Sequence, residues 1–207
     1  MSSQTKSDPT GGAQAKALSA DALAREDAGL RGKEGALAAA RGWDRFSKAS
    51  QSTAHPRAEV EAACHEYVRR ANINDWDLWT DIFTEDVLYV DHAYGVFRGR
   101  EEVRKWMVPL MKTMPEMRFV PGFLVIQGDL VINYNWNRWP NPDGSAEPYD
   151  DWRNPKALSL YEHHFPCVTI NVYGGNGLFA YEEDLYCAPA FMNIFSGWQQ
   201  AWKAAGR

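Results

Sequence analysis

The sequence predicts an α+β domain in which helices come first and strands follow. Apolar residues recur at helical spacing between Arg57 and Leu110. Beyond Pro115 the pattern changes to short β-type runs separated by glycine-containing turns. The two regimes do not alternate, which favours helices segregated from an antiparallel sheet over a wound α/β arrangement. Three helices packed on one face of a curved antiparallel sheet leave a cone with a hollow.

Taken in order, Val60, Cys64, Tyr67, Val68 and Ala71 define an amphipathic helix from about Arg57 to Ala71. Asn74 and Asp75 are cap residues for a second short helix carrying Trp76, Trp79, Ile82 and Phe83. Val87 to Asp91 reads as a strand. Gly95 to Gly99 leads into a third helix with Val103, Trp106, Met107 and Leu110 inward, its end blurred by Pro109. Phe123–Ile126 and Leu130–Trp139 flank Gln127-Gly128-Asp129, a hairpin pattern. The four prolines and turn residues of 140–157 predict a long loop. Strands around 158–173 and 178–187 follow, joined by Gly174-Gly175-Asn176-Gly177, and Phe191, Phe195, Trp198 and Trp202 mark a closing helix. The glycine cluster is a hairpin turn rather than a phosphate cradle, since a strand and not a helix comes after it.

The 207 residues suffice for one domain with a sizeable core. Residues 1–56 differ in composition: they are rich in Ala and Gly, with Trp43 and Phe46 their only aromatics. So little apolar surface cannot offset the entropy of ordering, and this arm is expected to be partly disordered or weakly helical, with the domain proper at 57–207. A net charge of −5 without any basic cluster argues against a nucleic-acid partner. No apolar run approaches a membrane span, and the opening residues MSSQTKSDPTGG lack the apolar stretch of a secretory signal. Cys64, Cys167 and Cys187 are odd in number and show no metal or redox spacing, which fits a reducing cytoplasm. Nine each of Trp, Tyr and Phe point to an aromatic-rich interior or an aromatic-lined site.

This order of elements resembles the SnoaL-like branch of the nuclear-transport-factor-2-like (NTF2-like) superfamily. The resemblance rests on the first helix leading to Asn74-Asp75-Trp76-Asp77, then Phe83-Thr84-Glu85-Asp86-Val87, Tyr89-Val90-Asp91 and Gly99-Arg100-Glu101-Glu102-Val103. A looser block is Gly174–Gly177 followed by Tyr181-Glu182-Glu183-Asp184-Leu185-Tyr186, so the match spans roughly 57–190. It implies a cone-shaped fold with one deep apolar pocket. The superfamily holds ketosteroid isomerases, scytalone dehydratase, polyketide cyclases, epoxide hydrolases and non-catalytic binding members, so it implies architecture more than activity.

Asp91 closes the first strand, where the resemblance places the isomerases' proton-shuttling aspartate. An acid at the mouth of an apolar cone has a raised pKa, suited to general acid–base work; the rival role is a turn aspartate holding the next loop. Tyr67 matches the isomerases' oxyanion-binding tyrosine in its spacing to Asp75. Their second oxyanion donor falls at Val168, which argues against a true ketosteroid isomerase. Asn133, Asn135 and Asn137 alternate on one strand face, with Asn135 where scytalone dehydratase carries a pocket histidine. Alternation puts Glu183 with Tyr181 and Leu185, and Glu182 with Asp184; the resemblance turns Tyr181 and Glu183 inward. His92, His163 and His164 are the remaining proton-transfer candidates. They form no metal spacing with Asp91 or Glu183, so neither a metal nor a cofactor is expected.

The reading is a cofactor-independent acid–base enzyme for a hydrophobic aromatic or polycyclic small molecule. Lyase chemistry, dehydration or retro-aldol-type cleavage, is favoured over cyclase or isomerase activity. Asp91 is the principal base, helped by His92, Glu183 or His164. Tyr67 is the hydrogen-bond donor, and Tyr94, Trp106, Asn135, Trp136, Trp139, Tyr181 and His163 shape the substrate pocket. The rivals are a non-catalytic ligand-binding or protein-interaction module, and an epoxide hydrolase built on an inward Arg138 or Arg98. A homodimer or higher homo-oligomer is expected from the resemblance, with the aromatic tail as a contact.

Overall fold

The structure, a computed structural model, describes residues 43–145 and 160–207. The arm over 1–42 and most of the expected 140–157 loop, from residue 146 on, lie outside the described residues. Described helices are α1 (43–50), α2 (Arg57–Ala71), α3 (Trp76–Thr80), α4 (Arg100–Met111) and α5 (Ala188–Ala204). The strands are β1 (Phe83–Asp91), β2 (Gly95–Arg98), β3 (Arg118–Gln127), β4 (Leu130–Arg138), β5 (His164–Gly175) and β6 (Leu178–Leu185). They form one six-stranded sheet in the order β2-β1-β6-β5-β4-β3. No described helix is long and apolar enough to cross a membrane.

The sheet is mixed rather than wholly antiparallel, because β1 runs parallel to β6 with Asp91 beside Asp184. This pairing is invisible in local patterning, as it joins residues more than ninety positions apart. It also starts β1 earlier than expected. Asp81 ends α3, and the segment assigned to that helix, Phe83 onward, is drawn out by pairing with Phe179. Helix α3 starts as predicted, with the Leu78 N–H donating to the Asp75 carboxylate at 3.0 Å. Helix α4 continues through Pro109 to Met111.

Helix α2 presents Val60, Cys64, Tyr67, Val68 and Ala71 to the sheet, all buried. Trp79 meets Tyr67, Phe83 and Tyr89 edge to face, which fixes α3 against β1. At the other end, Trp139 lies fully buried among Phe165, Phe191, Phe195 and Trp198 and anchors α5. The Trp198 indole N–H donates to the Pro140 carbonyl at 3.0 Å. Strand β3 carries a register shift between Pro121 and Phe123, tolerated because β3 is an edge strand.

Residues 43–55 pack on the body instead of trailing from it. Phe46 meets the Tyr181 ring at 5.5 Å, and the Arg45 guanidinium lies 4.4 Å above that ring. The Asp129 N–H donates to the Ala49 carbonyl at 2.9 Å, while the Asp129 carboxylate takes Ser52 and the His55 Nδ1 at 3.0 Å. Among the described residues, packing on the body therefore begins at Arg45, twelve residues before the compositional boundary at 57.

Gly128 makes that docking possible. It holds φ +58°, and a Cβ there would meet the Ala49 carbonyl at 2.5 Å and the Ser52 carbonyl at 2.7 Å. Gly177 also has a positive φ, +78°, but its surroundings are open. Gly128→Ala should lower stability by about 2–4 kcal/mol, and Gly177→Ala by about 1–2 kcal/mol. Urea unfolding of both variants checks this, and equal losses would contradict the docked position of α1.

Candidate active site

The inner face of the sheet holds three carboxyl groups in a row, each bonded by a tyrosine hydroxyl. Tyr67 Oη donates to Glu182 Oε1 at 2.8 Å, Tyr89 Oη to Asp184 Oδ2 at 2.5 Å, and Tyr186 Oη to Asp91 Oδ1 at 3.0 Å. Asn171 Nδ2 completes Glu182 at 2.7 Å, and Thr169 Oγ1 completes Asp184 at 2.6 Å. Glu182 is fully buried and Asp91 is 5% exposed.

Alternation creates the row. Glu182 and Asp184 share a face of β6, and the parallel register sets Asp91 beside Asp184 and Tyr89 beside Glu182. Asp91 has two jobs. Its Oδ1 accepts from the N–H groups of Ala93 at 2.7 Å and Tyr94 at 2.8 Å, which shapes the β1–β2 turn. Its Oδ2 has Tyr186 at 3.1 Å as its partner among the described residues, leaving basic capacity on that oxygen.

Removing three acids from water costs far more than their hydroxyl bonds return if all are ionised. Burial, reinforced by Asp184, pushes Asp91 up to about 7 against the opposing pull of Ala93, Tyr94 and Tyr186. Burial and then Asp184 raise Glu182 well above the carboxylate range, and burial raises Asp184. The same burial holds the Tyr67 and Tyr89 phenols un-ionised. The result is an acid set with protons available near neutral pH and one member poised to exchange them.

Asp91, Asp184 and Tyr186 lie on the wall of a cavity of about 60 Å³ beneath Trp76, Trp79 and Trp106. Met107, Met111, Met114 and Met117 line it too, a flexible thioether wall that can repack around a guest. A larger cavity, about 520 Å³, lies on the other side of Tyr67. We place the chemistry at the smaller one, because the titratable groups converge there.

The expected residues divide. Asp91, Tyr67, Tyr94 and Trp106 converge on the acid cavity. The Tyr67 hydroxyl proton is committed to Glu182. Asn135 is buried on the inner face and donates to Thr169 Oγ1 at 3.3 Å, one step behind Asp184.

Tyr181 and Glu183 turn outward, the reverse of the expectation, and it is Glu182 and Asp184 that enter the cone. The pattern misled because α1 covers the outer face, so Tyr181 is buried there under Phe46 and Arg45. Glu183 pairs with the exposed His92 at 2.7 Å, which holds its carboxyl below the usual range.

His164 and Trp136 meet at 5.2 Å on the outer face, away from the acids. His164 is lowered by burial and by neighbouring His163. His163 lies at the start of β5, where its carbonyl accepts from the Trp139 N–H at 3.0 Å. Trp139 belongs to the core under α5, not to the acid cavity.

Val168 also points outward, so its β5 neighbours facing the cone are Cys167 and Thr169, neither an acid. Arg138 is buried with its guanidinium 3.7 Å over Tyr161, and Arg98 is exposed, so neither forms the centre of an Asp-Arg-Asp set at Asp91. Among the described residues, no group of three His, Cys, Asp or Glu is placed to hold a metal ion. Sequence reasoning passed over Asp184, Tyr89 and Tyr186, although the Glu182/Asp184 parity contained the signal.

Residues 64–152 match the family model of the SnoaL-like domain. The fold is similar to that of an NTF2-like protein of unknown function from Burkholderia pseudomallei K96243, at 14% identity over 66% of this chain and 96% of that one, with a TM-score of 0.50. Other similar structures are an LEH-like epoxide hydrolase from M. tuberculosis (10% identity, 71% and 96% covered, TM-score 0.49) and a putative polyketide cyclase from Sinorhizobium meliloti (14% identity, 60% and 94% covered, TM-score 0.44). At such identities these likenesses concern the fold alone. No curated protein matches the chain. Residues 64–152 thus match the SnoaL-like domain, and the fold is similar to that of an NTF2-like protein.

The raised Asp91 sets a pH dependence of stability. Its folded pKa lies above its unfolded value, so the folded state retains a proton that the unfolded chain releases between about pH 4 and 7. This contribution is complete below about pH 4 and is lost as pH rises through about 7, at up to about 1.4 kcal/mol per pH unit. Glu66, held at about 2 by Arg69 and Arg70, acts with opposite sign and only on the acid side of that window. Urea midpoints should fall from pH 4.5 to 7.5 in the wild type and less steeply in Asp91→Asn; parallel profiles would count against a protonated Asp91.

Proposed function

We propose that this protein is an acid–base lyase for a hydrophobic, aromatic small molecule bearing a β-hydroxy carbonyl group. One observation carries the reading: Asp91, buried on the wall of an aromatic cavity and raised to about 7, stands in register beside a second inward carboxyl, Asp184. A base poised near the working pH is what elimination and carbon–carbon cleavage both require, and burial with the neighbouring Asp184 keeps Asp91 there.

In dehydration, Asp91 Oδ2 takes the proton α to the carbonyl. The C–H electron pair becomes the new double bond, the β C–O bond breaks, and the proton now on Asp91 passes to the departing hydroxyl, which leaves as water. Asp91 is thereby returned to its carboxylate form for the next turnover. In retro-aldol cleavage Asp91 removes the β-hydroxyl proton, the O–H electron pair forms the new C=O bond as the Cα–Cβ bond breaks, and the α carbon of the resulting enolate takes that proton back from Asp91. The Tyr94 and Trp106 rings and the methionine wall hold the apolar body of the substrate. Tyr67 and Tyr89 act as positioning residues that keep Glu182 and Asp184 turned inward. A purely binding module would carry its acids outward; the inward row supports an enzyme.

Proton abstraction is measurable without the natural substrate. The wild type should accelerate deuterium exchange α to the carbonyl of 2-tetralone in D₂O, with a rate that rises with pH through about 7 and then levels. Asp91→Asn should lose about 10²–10⁴ of the acceleration while keeping its circular dichroism, because an amide oxygen still accepts from Ala93 and Tyr94. Undiminished exchange in Asp91→Asn would remove Asp91 as the base.

A further inference from the structure

The acid cavity, about 60 Å³, is walled off from solvent: among its described lining residues none is exposed. The larger cavity, about 520 Å³, is open, because exposed His65 on α2 and exposed Gly122 and Phe123 on β3 stand on its rim. The β3 register shift between Pro121 and Phe123 forms part of that rim. Size separates the two as well. Small-molecule sites run from roughly 300 to 1,000 Å³, a range that holds the larger cavity and excludes the smaller. A guest of that kind meets the larger cavity first and reaches Asp91 only as the methionine wall repacks.

Tyr67 is the one described residue on both walls. Its ring stands edge to face with Trp79 of the acid cavity at 5.5 Å and with Phe179 of the larger cavity at 6.0 Å. The phenol spans the cone from α2 to the sheet, where its Oη donates to Glu182 Oε1 at 2.8 Å. The sheet is layered the same way. Asn133 and Asn171 face the larger cavity, Asn137 and Cys167 face the acids, and the bonded pair Asn135–Thr169 lies between. Those sheet residues are fixed by the strand ladder. The phenol hangs on a single side chain whose tip is held by one hydrogen bond, so it can swing aside without any change of backbone.

We propose that the larger cavity is the antechamber of the Asp91 site and that Tyr67 is the gate between them, selecting substrates by width. The bond to Glu182 holds the gate shut. An incoming ring displaces the phenol, passes between Trp79 and Phe179, and brings its reactive end to Asp91. The guest named here rests on the lyase reading; the route does not.

The native cysteines report on each chamber: Cys64 lines the larger cavity and Cys167 the acid cavity. Methyl and benzyl methanethiosulfonate attack thiols by the same chemistry but differ in width, and mass mapping of peptides reads each site. Burial pushes both interior thiols up, so the benzyl-to-methyl rate ratio is taken at each thiol separately and intrinsic reactivity cancels. In the wild type this ratio should be at least about tenfold lower at Cys167 than at Cys64. Tyr67→Ala should bring the two ratios to within about threefold of each other. Tyr67→Phe, which keeps the ring and the core but loses the bond to Glu182, should narrow the gap by about threefold. Leu110→Ala, which enlarges the acid cavity from α4, should leave the gap standing. Asp91→Asn should leave every ratio unchanged while lowering 2-tetralone exchange, so the gate and the lyase reading fail separately. Equal ratios at the two thiols in the wild type, a gap that neither Tyr67 variant narrows, or a gap that Leu110→Ala closes would overturn the proposal.

Discussion

The structure turns on keeping three carboxyl groups out of water on one face of a sheet. Glu182, Asp184 and Asp91 lie side by side only because β1 joins β6 in parallel. Isolated carboxylates in such a place would be prohibitive. The structure meets the cost in two ways: each acid receives a tyrosine hydroxyl, and burial favours the protonated form. The aromatic walls serve the same end, since they make the site dry. Chemistry and core packing are thus one arrangement: Tyr67 and Tyr89 are at once core residues and hydrogen-bond donors to the acids.

That arrangement gives the cone a polarity from one end to the other. At the α4 end, acids and methionines surround a small cavity. At the β3 end, asparagines and aliphatic side chains surround a larger one. The asparagine stripe of β4 runs beneath both, with Asn137 on the acid side, Asn135 bonded to Thr169 between them, and Asn133 on the far side. Period-two alternation on a single strand therefore supplies polar contacts to two chambers of different character.

Much of the fold was legible from periodicity. Helix α2 announced its buried face through Val60, Cys64, Tyr67 and Val68, and Asp75 announced the start of α3. Asp91 was legible as well, because an acid closing an apolar strand is chemically conspicuous. What the sequence withheld was long-range. Alternation divides Tyr181-Glu182-Glu183-Asp184 into two faces but does not say which is inside, and α1 buries the outer face under Phe46 and Arg45. Trp136 and Trp139 are three residues apart, yet one lies on the outer sheet face beside His164 and the other in the α5 core. Nothing local distinguishes them. The docking of 43–55 likewise depends on a glycine some eighty residues away.

The account stands on the claim that Asp91 shares a dry site with a neighbouring acid and therefore changes charge near neutrality. Carboxyl ¹³C NMR of the folded protein measures that charge directly, residue by residue. The account predicts an Asp91 midpoint of about 7 that moves down when Asp184 is replaced by Asn, because Asp184 is the charge beside it. A midpoint in the ordinary carboxylate range, near 4, in both proteins would contradict it.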